Sequence, residues 1–164
     1  MIVIAVTISC ELRKIVSARS TVTRVSIACP WLIARFIDKE PEFLYVPPGE
    51  VLAVAKKTGA IPYDIPDVKF SHVGEKCSFD AFLAEYKLAE PGLDKLADIV
   101  RGADTSRLDL TPQSAGLFAI SLGLGHIYSD DHEMLKAGLV MYDALYAWCR
   151  HLVGETHNWP PKMS

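Results

Sequence analysis

The residues best suited to chemistry lie in one short stretch, FSHVGEKCSFD, at 70–80. Within it, His72, Glu75 and Cys77 are each competent ligands for a borderline metal such as zinc or ferrous iron. Their spacing matches no standard zinc motif, since the chain has neither a C-x-x-C pair nor an H-E-x-x-H sequence. The stretch predicts a metal site. The alternative is a histidine bonded to a backbone carbonyl and a small buried cysteine.

Two further residues are candidate ligands for the same metal, an iron or zinc ion. Asp104 follows Gly102, where a helix is expected to end, and His132 lies in the acidic run DDHE at 130–133. Carboxylate and imidazole groups both bind such metals. Acidic residues at a helix start also suit the helix dipole, so capping is the competing interpretation for the second position.

A second kind of site, for an oxyanion or a reactive thiol, is predicted at Cys29, Arg35 and Arg101. Cys29 precedes Pro30 at a predicted helix start, where free amides favour thiolates and anions. The guanidinium groups offer planar forks of donors to an oxyanion. The alternatives are a buried thiol at Cys29 and a surface ion pair between Arg101 and Asp98, three residues earlier.

Hydrophobic periodicity indicates which elements must position these residues. Alternation of apolar and polar residues predicts strands at 21–28, 43–46 and 67–73. Helical spacing predicts helices at 30–37, 50–57, 78–86, 93–102, 112–125 and 130–153. The expected fold is α/β (α+β), with a small sheet of three to four strands from the N-terminal half. The sheet packs against five to six helices in a chain whose C-terminal half is helix-rich.

Length and composition indicate one folded domain. The chain has 164 residues, of which 50% are hydrophobic, so it can bury a core without disulfide bonds or a structural metal. We predict a leader or an extra strand at 1–20, a single domain at 21–154 and a loose tail at 155–164. The apolar run at 1–10 is expected to be a buried strand, because it is too short to span a bilayer.

Charge and cysteine content limit the partners and the compartment. The formal net charge is −3 and no basic block is present, so no nucleic-acid partner is expected for this chain alone. No membrane partner is expected either. Four scattered cysteines are predicted to be free thiols in a reducing compartment, which favours the cytoplasm; export is the weaker alternative.

Five motifs together carry a family resemblance. They are CPWLIARFID at 29–38, FLYVP at 43–47, HVGEKCSFDAF at 72–82, IVRGADT at 99–105 and YDALYAWCR at 142–150. In this order they resemble the chromate-resistance protein family, and specifically the C-terminal domain of ChrB-type proteins. The resemblance implies a domain that binds or senses chromate or a related metal ion and contributes to chromate detoxification.

Two alternatives from other functional classes stay open, and the sequence does not decide whether the domain is an enzyme. The first is a metal- or thiol-dependent redox enzyme that reduces chromate or removes radicals, with Cys29 or Cys77 at its centre. The second is a homodimeric interaction module. Its anchors would be Tyr142, Tyr146 and Trp148, because aromatic residues are enriched at interfaces.

Overall fold

Three short strands and six α-helices make up the described part of the chain, which is residues 14–18 and 27–156 of the computed structural model. The strands are β1 (Lys14–Ala18), β2 (Glu42–Val46) and β3 (Ile61–Pro62). The α-helices are α1 (Ala28–Leu32), α2 (Val51–Thr58), α3 (Ser78–Glu85), α4 (Leu93–Asp104), α5 (Ser114–Ile127) and α6 (Asp131–Ala147). Single π-helical turns extend α1 over Ile33–Ile37 and α6 over Trp148–Leu152. This architecture confirms the predicted fold class.

The sheet is parallel throughout, in the order β2-β1-β3. Ile15 pairs with Phe43 on one side and with Ile61 on the other, so β1 is the central strand. Parallel neighbours need a crossover connection, and α1 and α2 supply the two crossovers. The central strand therefore lies within the segment 1–20, for which we expected a leader or an extra strand.

The two faces of β1 contribute to different parts of the core. Ile15 joins the main hydrophobic cluster, which also contains Trp31 and Phe82. Val16 points to the opposite face, where it packs in a smaller cluster with Val51 of α2. This follows from the two-residue period of a strand. The helix-rich half of the chain thus lies on one side of the sheet and α2 on the other.

Local sequence signals explain several helix boundaries. Pro30 is in the first turn of α1. Backbone N–H groups in the first turn have no acceptor within the helix, so a proline there costs no intrahelical hydrogen bond. Gly59 takes a left-handed conformation, with φ of 75°, just after α2, and its N–H bonds the Ala55 carbonyl. Asp130 caps α6 by accepting bonds from the N–H groups of His132 and Glu133. All three features agree with the predicted helices.

The strand predicted at 67–73 is wrong. Asp64 and Asp67 both have positive φ, of 59° and 62°, so the chain turns repeatedly here and does not stay extended. Only isolated bridges form, one of them between Tyr63 and Phe70. Phe70 is buried because its ring stacks on Phe82 with centroids 4.1 Å apart. The alternation of apolar and polar residues at 67–73 therefore belongs to an irregular loop in which Phe70 is the buried residue. The third strand lies earlier in the chain, at β3.

Other predictions at the chain's ends fall largely outside the described residues. These are the strand at 1–10, most of the strand at 21–28 and most of the tail at 155–164. The last residue of the second prediction, Ala28, is the first residue of α1 and not part of a strand.

The end predicted for α4 is also wrong, and the error matters for the site. Gly102 does not terminate the helix, which continues to Asp104. A Cβ atom at Gly102 would collide with the side chain of Ser114 in α5. The glycine is therefore explained by the close approach of two helices. The additional residues place Asp104 at the C-terminal end of α4.

Candidate metal centre

Three side chains from separate parts of the fold converge at one point: Asp64 after β3, His72 in the loop before α3, and Asp104 at the end of α4. The Nε2 atom of His72 lies 3.1 Å from Oδ2 of Asp104 and 3.4 Å from Oδ1 of Asp64. One potential ligand atom from each residue lies within 4.8 Å of the other two. Two carboxylates and an imidazole at this spacing form a donor set suited to a divalent cation.

Local hydrogen bonds hold Asp64 in place. It occupies the left-handed region, which aspartate tolerates better than most residues. Its N–H donates to the carbonyl of Phe70 at 2.9 Å, and the Ser78 hydroxyl donates to its Oδ1 at 2.9 Å. Since Ser78 is the first residue of α3, the turn and the helix start fix this carboxylate together.

The electrostatics of the cluster favour binding a cation. Burial, followed by the charge of Asp64, raises the pKa of Asp104 to about 6, while His72 works to lower it. The hydrogen bond to Asp64 and the charge of Asp104 raise the pKa of His72, against the opposing effect of burial. The two carboxylates thus repel each other and attract positive charge. A metal ion can replace the proton of His72 in balancing them.

A partly buried ion pair lies beside the cluster. Arg101 donates from Nε to Oδ2 of Asp80 at 2.9 Å and from Nη2 to Oδ1 at 2.6 Å. Burial works to raise the pKa of Asp80, but the bonds from Arg101 and from the Cys77 N–H outweigh it and lower the pKa. Arg101 is three residues before Asp104 on α4, so this pair ties the last turns of α4 to the start of α3.

Two thiols lie on the buried side of the cluster. Cys77 precedes α3 and is fully buried; burial and then the charges of Asp80 and Asp104 raise its pKa to about 12. Cys29 in α1 is also buried, and its pKa is raised by burial first and then by the charge of Asp64. Both thiols are therefore protonated at neutral pH. Burial thus opposes the thiolate that the start of α1 was expected to favour, and a reactive thiol at Cys29 stays a prediction.

Comparison with known proteins decides the family. A family model described as "ChrB, C-terminal domain" matches residues 17–149. The chain belongs to the ChrB C-terminal domain family of chromate-resistance proteins. This confirms the resemblance carried by the five sequence motifs.

A curated relative agrees with the ChrB assignment. The Protein ChrB of Cupriavidus metallidurans is 28% identical over 121 residues, which is 73% of this chain. The matched region is 36% of that relative, so the chain spans about a third of its length. No solved structure matches the chain. No helix in the described ranges is long and apolar enough to cross a membrane.

The predicted metal ligands of this ChrB-type domain are only partly brought together. His72 and Asp104 are in the cluster, and Cys77 adjoins it. Glu75 is exposed and pairs with Arg107 at 3.2 Å, while the ring of His132 packs edge-on against Tyr45 with centroids 5.2 Å apart. Neither belongs to the ligand cluster found among the described residues. Metal binding itself stays a prediction.

Asp64 is the site residue that the sequence did not single out. The available signal was an aspartate just after the short apolar run IPY at 61–63. The strand wrongly predicted at 67–73 separated it from His72, because a strand would have carried the two residues apart. The observed turns bring them back together.

The predicted oxyanion ligands do not converge on one another. Arg35 forms two bonds of 2.8 Å to Asp143, which also accepts a bond from Trp31. Arg101 is engaged by Asp80, and it also bonds Asp98 at 2.9 Å as the ion-pair interpretation predicted. The oxyanion site stays a prediction, and both of its guanidinium groups bind carboxylates of the chain.

The aromatic residues proposed as dimer anchors lie in or against the core. Tyr142 is fully buried, and its ring is 5.9 Å from that of Trp31. Tyr146 packs on the same tryptophan at 5.4 Å, and Trp148 is partly buried against the core. Tyr142 therefore stabilises the fold of a single chain, while the anchoring of an interface by the partly buried Tyr146 and Trp148 stays a prediction. A homodimer formed through other residues stays a prediction.

Proposed function

We propose that this domain contributes to chromate resistance by binding a metal cation at Asp64, His72 and Asp104. The observation that carries the proposal is the convergence of these three ligand atoms within 4.8 Å. Mixed carboxylate and imidazole ligands suit borderline ions such as ferrous iron and zinc, and carboxylates suit hard ions. Reduced, cationic chromium is a hard ion of this kind.

The charges favour a cation over chromate itself at this site. Chromate is a dianion, and the cluster presents two carboxylates with Asp80 close by. The two guanidinium groups predicted to bind an oxyanion, at Arg101 and Arg35, are bound to carboxylates of the chain. A negatively charged ligand at the cluster would therefore be repelled. We infer that the domain senses or handles a metal species and does not capture the oxyanion directly.

The surroundings support reversible exchange of a cation. The His72 side chain is 41% exposed, so the cluster is open to solvent on one side. A cavity of about 290 Å³ lies along the same loop and helix end, with Gly74 and Thr105 in its wall. We also propose a cytoplasmic location, supported by the free thiols of Cys29, Cys77 and Cys149.

Calorimetric titration of the full chain with Mn²⁺ and Zn²⁺ tests the binding. We expect one site, and a loss of about 10–100-fold in affinity or more in each of Asp64→Asn, His72→Ala and Asp104→Asn. His132→Ala and Glu75→Gln are matched controls, because both residues lie outside the cluster. Equal losses in the controls, or no binding by the wild type, would refute the proposal.

A growth assay tests the link to resistance. Bacterial cells that depend on this chain for growth in chromate are complemented with the wild type, with His72→Ala or with His132→Ala. We expect only His72→Ala to fail at a protein level equal to that of the wild type. Full resistance with His72→Ala would separate cation binding from the contribution to resistance.

A further inference from the structure

Cys77 lies on the inner side of the cation site. Its thiol donates to Oδ2 of Asp80 at 3.5 Å, and its neighbour Ser78 donates to Oδ1 of Asp64 at 2.9 Å. The thiol also acts to lower the pKa of Asp104, against the larger effect of burial. The same Asp104 is in contact with His72 on its outer side. The partly exposed His72 and the fully buried Cys77 thus both belong to the surroundings of Asp104.

Two further buried side chains, Cys29 and Tyr142, carry polar groups whose pKa values respond to the charges of the site. Cys29 is buried, and its pKa is raised first by burial and then by the charges of Asp64, Cys77 and Asp104. Tyr142 is completely buried, and its hydroxyl has no hydrogen-bond partner among the described residues. Burial, followed by the charges of Asp104, Cys29 and Cys77, raises the pKa of that hydroxyl. Unpaired buried polar groups are rare and often mark a water or ion.

We propose that Cys77 is an additional ligand of the cation site, used for thiophilic divalent cations and not for hard ones. The inference rests on the proposed function, because it requires the cation site at Asp64, His72 and Asp104. Hard ions prefer oxygen donors and are held by the three outer ligands alone. Soft and borderline ions gain from a thiolate, so they draw Cys77 into the coordination shell.

The binding step is balanced without any redox partner. The S–H bond of Cys77 breaks, a metal–sulfur bond forms, and the proton is released to solvent. No electron is transferred. Cys77 directly precedes α3, and its N–H bonds Asp80 at 2.9 Å, so the thiol is held in the same segment as Ser78, which bonds Asp64 of the site. The site thereby distinguishes classes of cation by whether sulfur takes part.

The test compares Cd²⁺, which is thiophilic, with Mn²⁺, which is hard. In the wild type we expect both ions to bind, and Cd²⁺ alone to produce a thiolate-to-metal charge-transfer absorption in the ultraviolet. Cys77→Ser should bind Mn²⁺ normally, lose the absorption and bind Cd²⁺ at least about tenfold more weakly. Serine is a favourable residue before a helix, so this variant is expected to fold.

Cys29→Ser and Cys149→Ser are the matched controls, and both should keep the absorption. A band that persists in Cys77→Ser, or that disappears only in Cys29→Ser, would overturn the assignment. Mn²⁺ binding together with Cd²⁺ binding that gives no band would refute the role of Cys77 and leave the proposed function intact. If neither ion binds the wild type, the proposed function fails as well.

Discussion

Arg101 of α4 grips both oxygens of Asp80 of α3, with N–O distances of 2.9 and 2.6 Å. The Asp80 side chain is only 8% exposed, so its charge depends on this partner. The same carboxylate accepts a bond from the Cys77 N–H at 2.9 Å. One ion pair thus fixes the segment that carries His72 and Cys77 to the helix that carries Asp104.

Arg101→Ala should destabilise the protein by about 3 kcal/mol, because it leaves a buried carboxylate without its partner. The measurement is urea denaturation at pH 7, followed by circular dichroism. Arg107→Ala is the control, since its pair with Glu75 is exposed and should contribute less than about 0.5 kcal/mol. Equal stability of the two variants would contradict this role for Arg101.

The same pair predicts a pH dependence. The pKa of Asp80 is lower in the folded state than in the unfolded chain. The ionised carboxylate therefore makes its full contribution to the free energy of unfolding when the pH is above the pKa of the unfolded chain. This contribution to stability is lost as the pH falls below about 4 and through the pKa of Asp80 in the folded state. The stability difference between wild type and Arg101→Ala should therefore be constant from pH 6 to 8 and shrink in acid. A difference that grows below pH 4 would have the wrong sign.

Gly102→Ala should destabilise the protein by about 1–3 kcal/mol, because a Cβ atom there collides with Ser114. Gly116 and Gly123 in α5 are matched controls, since a Cβ at either position meets no atom within 4 Å. Alanine at these two positions should stabilise the helix by about 0.5–1 kcal/mol. Thermal unfolding of the three variants separates the effects. A stabilised Gly102→Ala would show that α4 and α5 are not closely packed at this point.

The sequence predicted those features of the site that depend on residues close together in the chain. The periodicity of 78–86 and 93–102 located α3 and α4, and the spacing of Asp98 and Arg101 predicted their ion pair. The stronger partner of Arg101 is Asp80, 21 residues away, and no local pattern indicates it. Contacts of this kind depend on how helices pack, which side-chain spacing along one helix does not determine.

Two signals were misinterpreted in the segments that carry the site. Gly102 looked like a helix terminator because glycine commonly follows a helix end, whereas its real constraint is Ser114 of α5. The alternation at 67–73 looked like a strand, and this concealed the turn at Asp64. In both cases a tertiary contact determines the residue, and the resulting sequence pattern resembles a local signal for a helix end or a strand. Asp64 and Asp104 meet His72 because the chain turns at Asp64 and because α4 continues past Gly102 to Asp104.

Asp104→Asn should stabilise the metal-free protein at neutral pH while weakening cation binding. The pKa of Asp104 is about 6 when folded, above its ordinary value of 3.8, so its ionised form is disfavoured in the folded state. This raised pKa corresponds to at most about 3 kcal/mol of lost stability above pH 6, which is recovered as the pH falls toward 4.

We expect Asp104→Asn to gain about 1–2 kcal/mol at pH 7.5 in the presence of chelator, and less at pH 5. Urea denaturation at the two pH values measures this. Asp109→Asn, which removes an exposed carboxylate, should change little at either pH. A metal-free Asp104→Asn protein that is less stable than the wild type at pH 7.5 would show that Asp104 does not carry a destabilising charge.

The stabilisation of the domain by a bound cation should increase with pH, whereas the charge of Asp104 makes the metal-free protein less stable as the pH rises. A cation competes with protons for His72 and Asp104, whose pKa values are both raised. Binding should therefore strengthen as the pH rises from 5 to 7.5. At a concentration of Zn²⁺ about 100 times the dissociation constant, the stabilisation is about 2.7 kcal/mol, or about 5–10 °C in Tm for a chain of this size.

Differential scanning calorimetry with and without Zn²⁺ measures this shift. We expect the full shift at pH 7.5 and little at pH 5 for the wild type and for His132→Ala. His72→Ala should show almost none at either pH, because one of the three converging ligands is gone. A shift of equal size at both pH values would mean that the cation binds groups that do not titrate in this range, and so lies away from His72 and Asp104.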